Sequence, residues 1–228
     1  MNWIIKFLES SIGKKVIMSL TGLFLVTFLI VHLSGNFLLL KGDGGEAFNI
    51  YTEFMSTNPF IQFVSKGLYA FIILHTVQGI LLWNKNRKAR GSKYSVSTSA
   101  NASWASKNMA LLGTLILFFL LIHMGDFWYA IKFEPETFEM VQYAGMTSPI
   151  KDAYAKVALS FSNPLIVVCY ILGMIALGFH LIHGFQSAFQ TLGLRHKKYT
   201  PIIEGLGKLL GIALPVGFAV ITLIFFFK

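Results

Sequence analysis

Residues 16–40 read VIMSLTGLFLVTFLIVHLSGNFLLL, a run with no charged side chain and a single histidine, His32, set well inside it. An α-helix needs about 20 predominantly apolar residues to cross the hydrocarbon core of a bilayer. This run qualifies, and so do 60–83, 109–131, 164–189 and 206–227. Three of those four carry a deep histidine as well: His75, His123 and His180. An imidazole is costly in hydrocarbon unless it has a partner, so an intramembrane histidine is a functional signal by default. Four such residues, each on its own segment, are the sharpest feature of the chain.

Composition agrees with a membrane protein. Of 228 residues, 55% are hydrophobic and only 13% charged, and 22 are phenylalanine, well outside the range of soluble domains. Lys14 and Lys15 precede the first apolar run as they would in a signal peptide. The run is too long for one and lacks a small-residue cleavage site, so it reads as a retained helix. The expected fold is therefore an all-α integral membrane protein with five transmembrane helices in one domain.

The formal charge of +9 does not point to nucleic acid, because of where the charges lie. With the N-terminus placed inside, inner segments and the inner ends of the spans hold 13 of the 19 basic residues, and outer segments and the outer ends of the spans eight of the ten acids. The second connection alone supplies Lys85, Arg87, Lys88, Arg90, Lys93 and Lys107 with no acid among them, while Asp43, Glu46, Glu53, Glu134, Glu136 and Glu139 fall outside. That asymmetry is the positive-inside pattern. It puts the N-terminus in the cytoplasm and the C-terminus on the outer side of a bacterial cytoplasmic membrane. The same basic loops suit docking of a soluble partner. The lone cysteine, Cys169, can form neither an internal disulfide nor an iron–sulfur cluster, so any cluster belongs to another subunit.

Between the spans, residues 2–13 form an amphipathic lead suited to the membrane interface. Residues 41–58 read as a loop opened by a Gly-rich turn, 132–163 as a long outer segment with room for a short surface helix, and 91–106 as a Ser-rich, basic cytoplasmic connection. Pro215, inside the last span, is expected to kink it or leave a carbonyl unpaired.

Antiparallel helices convert sequence position into depth. His32 and His123 each lie about eight residues, or about 12 Å, from the outer ends of their helices. His75 and His180 lie at a similar distance from the inner ends of theirs. The four therefore sort into an outer pair, His32 with His123, and an inner pair, His75 with His180. Two ligands at one depth from two helices suit an axially ligated haem. Zinc wants four donors at one point. Two stacked b-type haems inside a four-helix bundle fit the spacing best. Glycines recur where a flat cofactor would approach. Gly79 and Gly184 follow His75 and His180 by four residues, Gly22 and Gly113 precede His32 and His123 by ten, and Gly67 and Gly173 precede theirs by eight and seven. His183 competes with His180 for the ligand role, or serves a haem propionate or a quinone. His196, in a basic loop, reads as solvated.

Two stretches carry a resemblance: TGLFLVTFLIVHLSGN at 21–36 and HLIHGFQSAFQTLG at 180–193. Over essentially its whole length the chain resembles the di-haem cytochrome b membrane anchor of succinate dehydrogenase and fumarate reductase, in its single-polypeptide, five-helix class. The resemblance implies a ligand histidine thirteen residues before the glycine closing the fourth helix, which selects His180, thirteen before Gly193. It implies an inner haem on His75 and His180 and an outer one on His32 and His123. It further implies a flavoprotein with covalent FAD and an iron–sulfur protein on the cytoplasmic face, with electrons passing through the haems to a membrane quinone, menaquinone by expectation. Some relatives carry a glutamate two residues before the fourth-helix ligand as part of a proton path; this chain has Gly178 there. A carboxylate in the loop after the first helix is tied to quinone chemistry in others, and Glu53 is the nearest match. Further quinone candidates are Tyr51 and Asp126 outside and Ser19 and His183 inside. Ser19, Thr21, Thr27, Ser34 and Thr76 could fix the histidine tautomers.

Two other readings stand beside this one. The first is the di-haem cytochrome b subunit of a hydrogenase or formate dehydrogenase. The second is a non-haem, proton-coupled transporter with the histidines as a relay, against which the lack of buried carboxylate partners weighs.

Overall fold

The computed structural model describes residues 3–89 and 103–228, so Arg90, Lys93 and most of the Ser-rich connection lie outside the described residues. Helix α1 (Trp3–Glu9) ends where Ser10 caps α2 (Ser11–Asn36), its hydroxyl accepting the Gly13 N–H at 2.9 Å. That cap starts the first span five residues earlier than hydropathy alone indicates. A 3₁₀ turn, Phe37–Leu40, carries it to its C-terminal end.

Residues 41–58 are not a loop. They hold α3 (Glu46–Thr57), and the reason lies just upstream. Gly45 takes φ +96°, and the Asp43 carboxylate accepts the N–H groups of Gly45 and Ala47 at 3.1 Å each, supplying the anionic cap a helix start favours. Fully buried Asn49 then pins α3 down. Its amide nitrogen donates to the Tyr143 hydroxyl (2.8 Å) and to Asp152 Oδ1 (2.9 Å), and its carbonyl accepts the Tyr154 N–H at 2.8 Å.

The second span is α4 (Pro59–Ala89). A short α5 (Trp104–Lys107) leads into the third span, where α6 (Met109–His123) passes into a π-helical turn, Met124–Tyr129, and then α7 (Ala130–Phe133). The outer segment beyond has a two-residue antiparallel pair, β1 (Met140–Val141) with β2 (Ile150–Lys151), followed by α8 (Ala153–Phe161), the expected surface helix. The last spans are α9 (Pro164–Thr191) and α10 (Thr200–Phe227).

Five helical runs are long and apolar enough to cross a membrane: Ser11–Leu40, Pro59–Lys88, Met109–Phe133, Pro164–Thr191 and Thr200–Phe227. Large apolar side chains such as Phe60, Phe118 and Leu165 are more than half exposed along them, as in a protein whose outer surface meets lipid rather than water. This is a multi-pass, predominantly helical membrane protein.

Four spans close into a ring. Helix α2 packs on α4 and α9, α6 packs on α9, and α4 meets α6 only thinly; α10 lies outside the ring against α9 and α2. The α9–α10 seam is the tightest. Pro215 lacks the N–H that would bond the Gly211 carbonyl four residues back, and α10 runs on through it as helix. A Cβ added at Gly178 would stand 2.9 Å from that Gly211 oxygen and 3.7 Å from the Pro215 ring. The expected unpaired carbonyl thus points at the bare backbone of Gly178.

Candidate functional site

The ring brings the four span histidines together two by two. His75 of α4 and His180 of α9 face each other with ring centroids 6.2 Å apart and planes at 65°. His32 of α2 and His123 of α6 do the same at 5.8 Å and 75°. All four are half-buried. Among the described residues no group of three or more His, Cys, Asp or Glu converges on a point, so the imidazoles meet as pairs.

Each pair has its own setting. At the inner pair, the Thr21 hydroxyl lies 3.1 Å from His75 Nδ1 while donating back to the Ile17 carbonyl at 2.8 Å. The partner comes from the neighbouring helix α2 and is one of the hydroxyls the sequence offered for fixing a tautomer. Since the threonine proton is engaged with Ile17, the arrangement favours an Nδ1–H donating to the threonine oxygen. That leaves Nε2 of His75 free. His180 Nδ1 and Gln78 Oε1 are buried with no hydrogen-bond partner. A Cβ at Gly22 would come 3.1 Å from His75 Cε1, so the α2 backbone must stay bare for the ring to sit there.

The outer pair sits in an aromatic box. His32 stacks on Phe28 (5.3 Å, 13°) and touches Phe218 (5.5 Å), and His123 stacks on Phe119 (5.6 Å, 25°) and meets Phe127 at 5.6 Å. Buried Tyr170 of α9 places its hydroxyl 3.1 Å from His123 Nδ1. The sequence reading missed this residue, although it stands ten positions before His180, the same offset that singled out Gly22 and Gly113. About one turn beyond His123, on the π-helical segment, Asp126 pairs with Lys156 of α8 at 3.1 Å, both half-buried, and its second oxygen is buried with no partner. A half-buried carboxylate does therefore lie beside the histidine levels; the sequence offered Asp126 as an outer quinone candidate, without its lysine partner.

The remaining candidates scatter. Ser19 is buried but donates to its own Lys15 carbonyl at 2.9 Å. Thr27 and Ser34 likewise turn back to Leu23 and Ile30. On α3, Tyr51 lays its ring where a side chain at Gly35 would be, one turn beyond His32, and burial pushes its hydroxyl pKa up. Glu53, two positions on, is half-buried and has no ion pair among the described residues. His183 is half-buried one turn inward of His180. His196 is exposed, and its Nδ1 accepts the Lys198 N–H at 3.2 Å. Of the glycines read as cofactor clearances, Gly67, Gly113 and Gly184 have nothing within 4 Å of an added Cβ, and Gly79 only the Met18 methyl at 3.4 Å. Gly173 instead makes room for the Phe119 ring and Gly22 for His75. No protein family, curated protein or solved structure matches this chain.

Proposed function

We propose that the chain is a di-haem cytochrome b and serves as the membrane anchor of a succinate:quinone oxidoreductase. The observation that carries the reading is the meeting of four histidines from four helices as two separate pairs. An ion ligated by two imidazoles holds their ring centres about 6 Å apart: about 2 Å of bond on each side plus about 1 Å from nitrogen to ring centre. The observed separations of 5.8 and 6.2 Å fit that span. The open flanks of Gly67, Gly113 and Gly184 and the orphaned Nδ1 of His180 are further features a bound macrocycle and its surroundings would use.

On this reading His75 and His180 hold an inner haem and His32 and His123 an outer one. When bound, the haems supply one-electron redox chemistry between an iron–sulfur partner and a membrane quinone, menaquinone by resemblance. The chain's own residues orient and shield. Thr21 and Tyr170 hold one imidazole of each pair in place through Nδ1, and the outer phenylalanines keep water from the rings. Tyr51 and Glu53, on a helix pinned one turn beyond His32, are the outer quinone candidates. Ser19 and His183 are the inner ones.

The chain does not oxidise succinate by itself. That chemistry belongs to the flavoprotein and iron–sulfur subunits, docked on cytoplasmic basic loops that include Lys85, Arg87, Lys88 and Arg195. The N-terminus lies in the cytoplasm of a bacterial cell.

Purified protein is expected to show reduced-minus-oxidised b-type bands with two haems per chain. Alanine at His32, His75, His123 or His180 is expected to remove one centre each. No b-type bands would sink the proposal, and haem loss from His183→Ala but not His180→Ala would transfer the ligand role.

A further inference from the structure

The half-buried ion pair between Asp126 and Lys156 takes no part in ligation, yet it lies beside the outer pair alone. Asp126 follows His123 by three residues on the π-helical turn. Such turns recur at functional sites because they turn side chains out of the regular helical register. Lys156 reaches Asp126 from α8, a helix held by the Asn49 network and by the Asp152 cap, so the ammonium is delivered by a rigid element. Tyr170 joins this charge pair to the ligand, with its hydroxyl on His123 Nδ1 and its ring packed on Phe161 of α8 at 5.0 Å. On α8, Ser160 lies one turn from Lys156 and is buried with its hydroxyl unpartnered. Among the described residues no ion pair lies beside the inner pair: the polar groups near it are Thr21, Gln78 one turn from His75 and His183 one turn from His180, and the remaining salt bridge, Lys41 with Asp43, lies in the loop after α2.

Building on the haem reading above, we propose that Asp126 and Lys156 are positioning charges that set the reduction potential of the outer centre independently of the inner one. Oxidation adds one positive charge at the iron. A nearby carboxylate therefore favours the oxidised form and a nearby ammonium the reduced form, and both act strongly where little water screens them. Paired, the two nearly cancel. Removing either one exposes the other, so the two deletions shift the potential in opposite directions.

The test is a potentiometric titration of the full-length chain in lipid nanodiscs, with the outer component assigned by its absence in His32→Ala. Lys156→Met is expected to lower the outer potential and Asp126→Asn to raise it. Each shift is expected to be on the order of a tenfold change in the reduced-to-oxidised ratio, or about 59 mV for one electron. The inner potential is expected to stay fixed, and Lys156→Arg to titrate as the wild type. Equal shifts at both centres, shifts of one sign, or no shift would overturn the proposal. So would loss of the outer haem in both single variants, which would make the pair structural. If the unsubstituted chain binds no haem, the underlying reading fails instead.

Discussion

The inner and outer histidine pairs are alike in ring separation and unlike in everything around them. The outer rings are boxed by Phe28, Phe119, Phe127 and Phe218, steadied by Tyr170 and flanked by a half-buried ion pair. The inner rings have one threonine contact, and His180 Nδ1 and Gln78 Oε1 beside them have no partner. Buried polar atoms are nearly always satisfied. Each pair thus keeps two unpartnered polar atoms nearby, Asp126 Oδ2 and Ser160 Oγ at the outer one, His180 Nδ1 and Gln78 Oε1 at the inner one; only at the inner pair does one of them belong to a ring itself.

The largest selective effects should come from the two hydroxyls. On the proposed di-haem reading, Tyr170→Phe is expected to weaken haem retention at the outer centre about 10- to 100-fold, the usual range for losing an outer-shell partner of a ligating histidine, and to spare the inner one. Thr21→Val should do the reverse. Haem transfer to an apo-acceptor, followed at the two spectral components, reads both variants, and a loss shared equally by the two centres would break the comparison.

A smaller effect is expected from the glycines. Gly22→Ala puts a methyl 3.1 Å from His75 Cε1, whereas Gly113→Ala meets nothing within 4 Å. Crowding of the first kind costs about 1–3 kcal/mol, so inner-haem retention should fall at least severalfold in Gly22→Ala. Gly113→Ala serves as the control in the same assay. Matching losses in the two variants would mean that a cofactor edge, and not His75, sets the limit at Gly22.

The smallest effect concerns the two faces of the membrane. In the proposed orientation Asp43 lies outside, and its pKa is held below the ordinary 3.8: a slight burial that raises it is outweighed by the Ala47 and Gly45 N–H groups and by Lys41. A depressed carboxyl stabilises the fold above its unfolded value and loses that stabilisation as pH falls through the folded one. Hydrogen exchange at the start of α3 should therefore quicken as pH drops below about 3.8, after correction for the intrinsic rate. In Asp43→Asn it should be fast already and insensitive to pH. The inner loops, nearly free of acids, should show no such step.

The span count and the histidine pairing were legible because both rest on one-dimensional rules, hydropathy length and helical rise. Tyr170 was within reach of the same arithmetic, since the ten-residue offset that singles out Gly22 and Gly113 lands on it. Helix α3 was hidden. Its start depends on Asp43 reaching forward to two amides, and its position depends on Asn49, a polar residue that sequence alone places at the surface. The Asp126–Lys156 pair was out of reach for a similar reason. Thirty residues and a strand pair separate the partners, and neither position announces the other. Gly178 reads in sequence as a missing acid. In the fold it is a contact surface, because any side chain there strikes the Gly211 carbonyl.

The ring of four helices has three broad seams and one thin one, between α4 and α6. A closed ring parts most readily along its weakest seam, since opening there breaks the fewest contacts. On the proposed di-haem reading α4–α6 is the doorway: a flat cofactor would slip in sideways from the lipid after all five spans are threaded, while α2, α9 and α10 stay clasped. Cross-linking α4 to α6 in the empty chain would lock that doorway, and maturation, not folding, would be what stops.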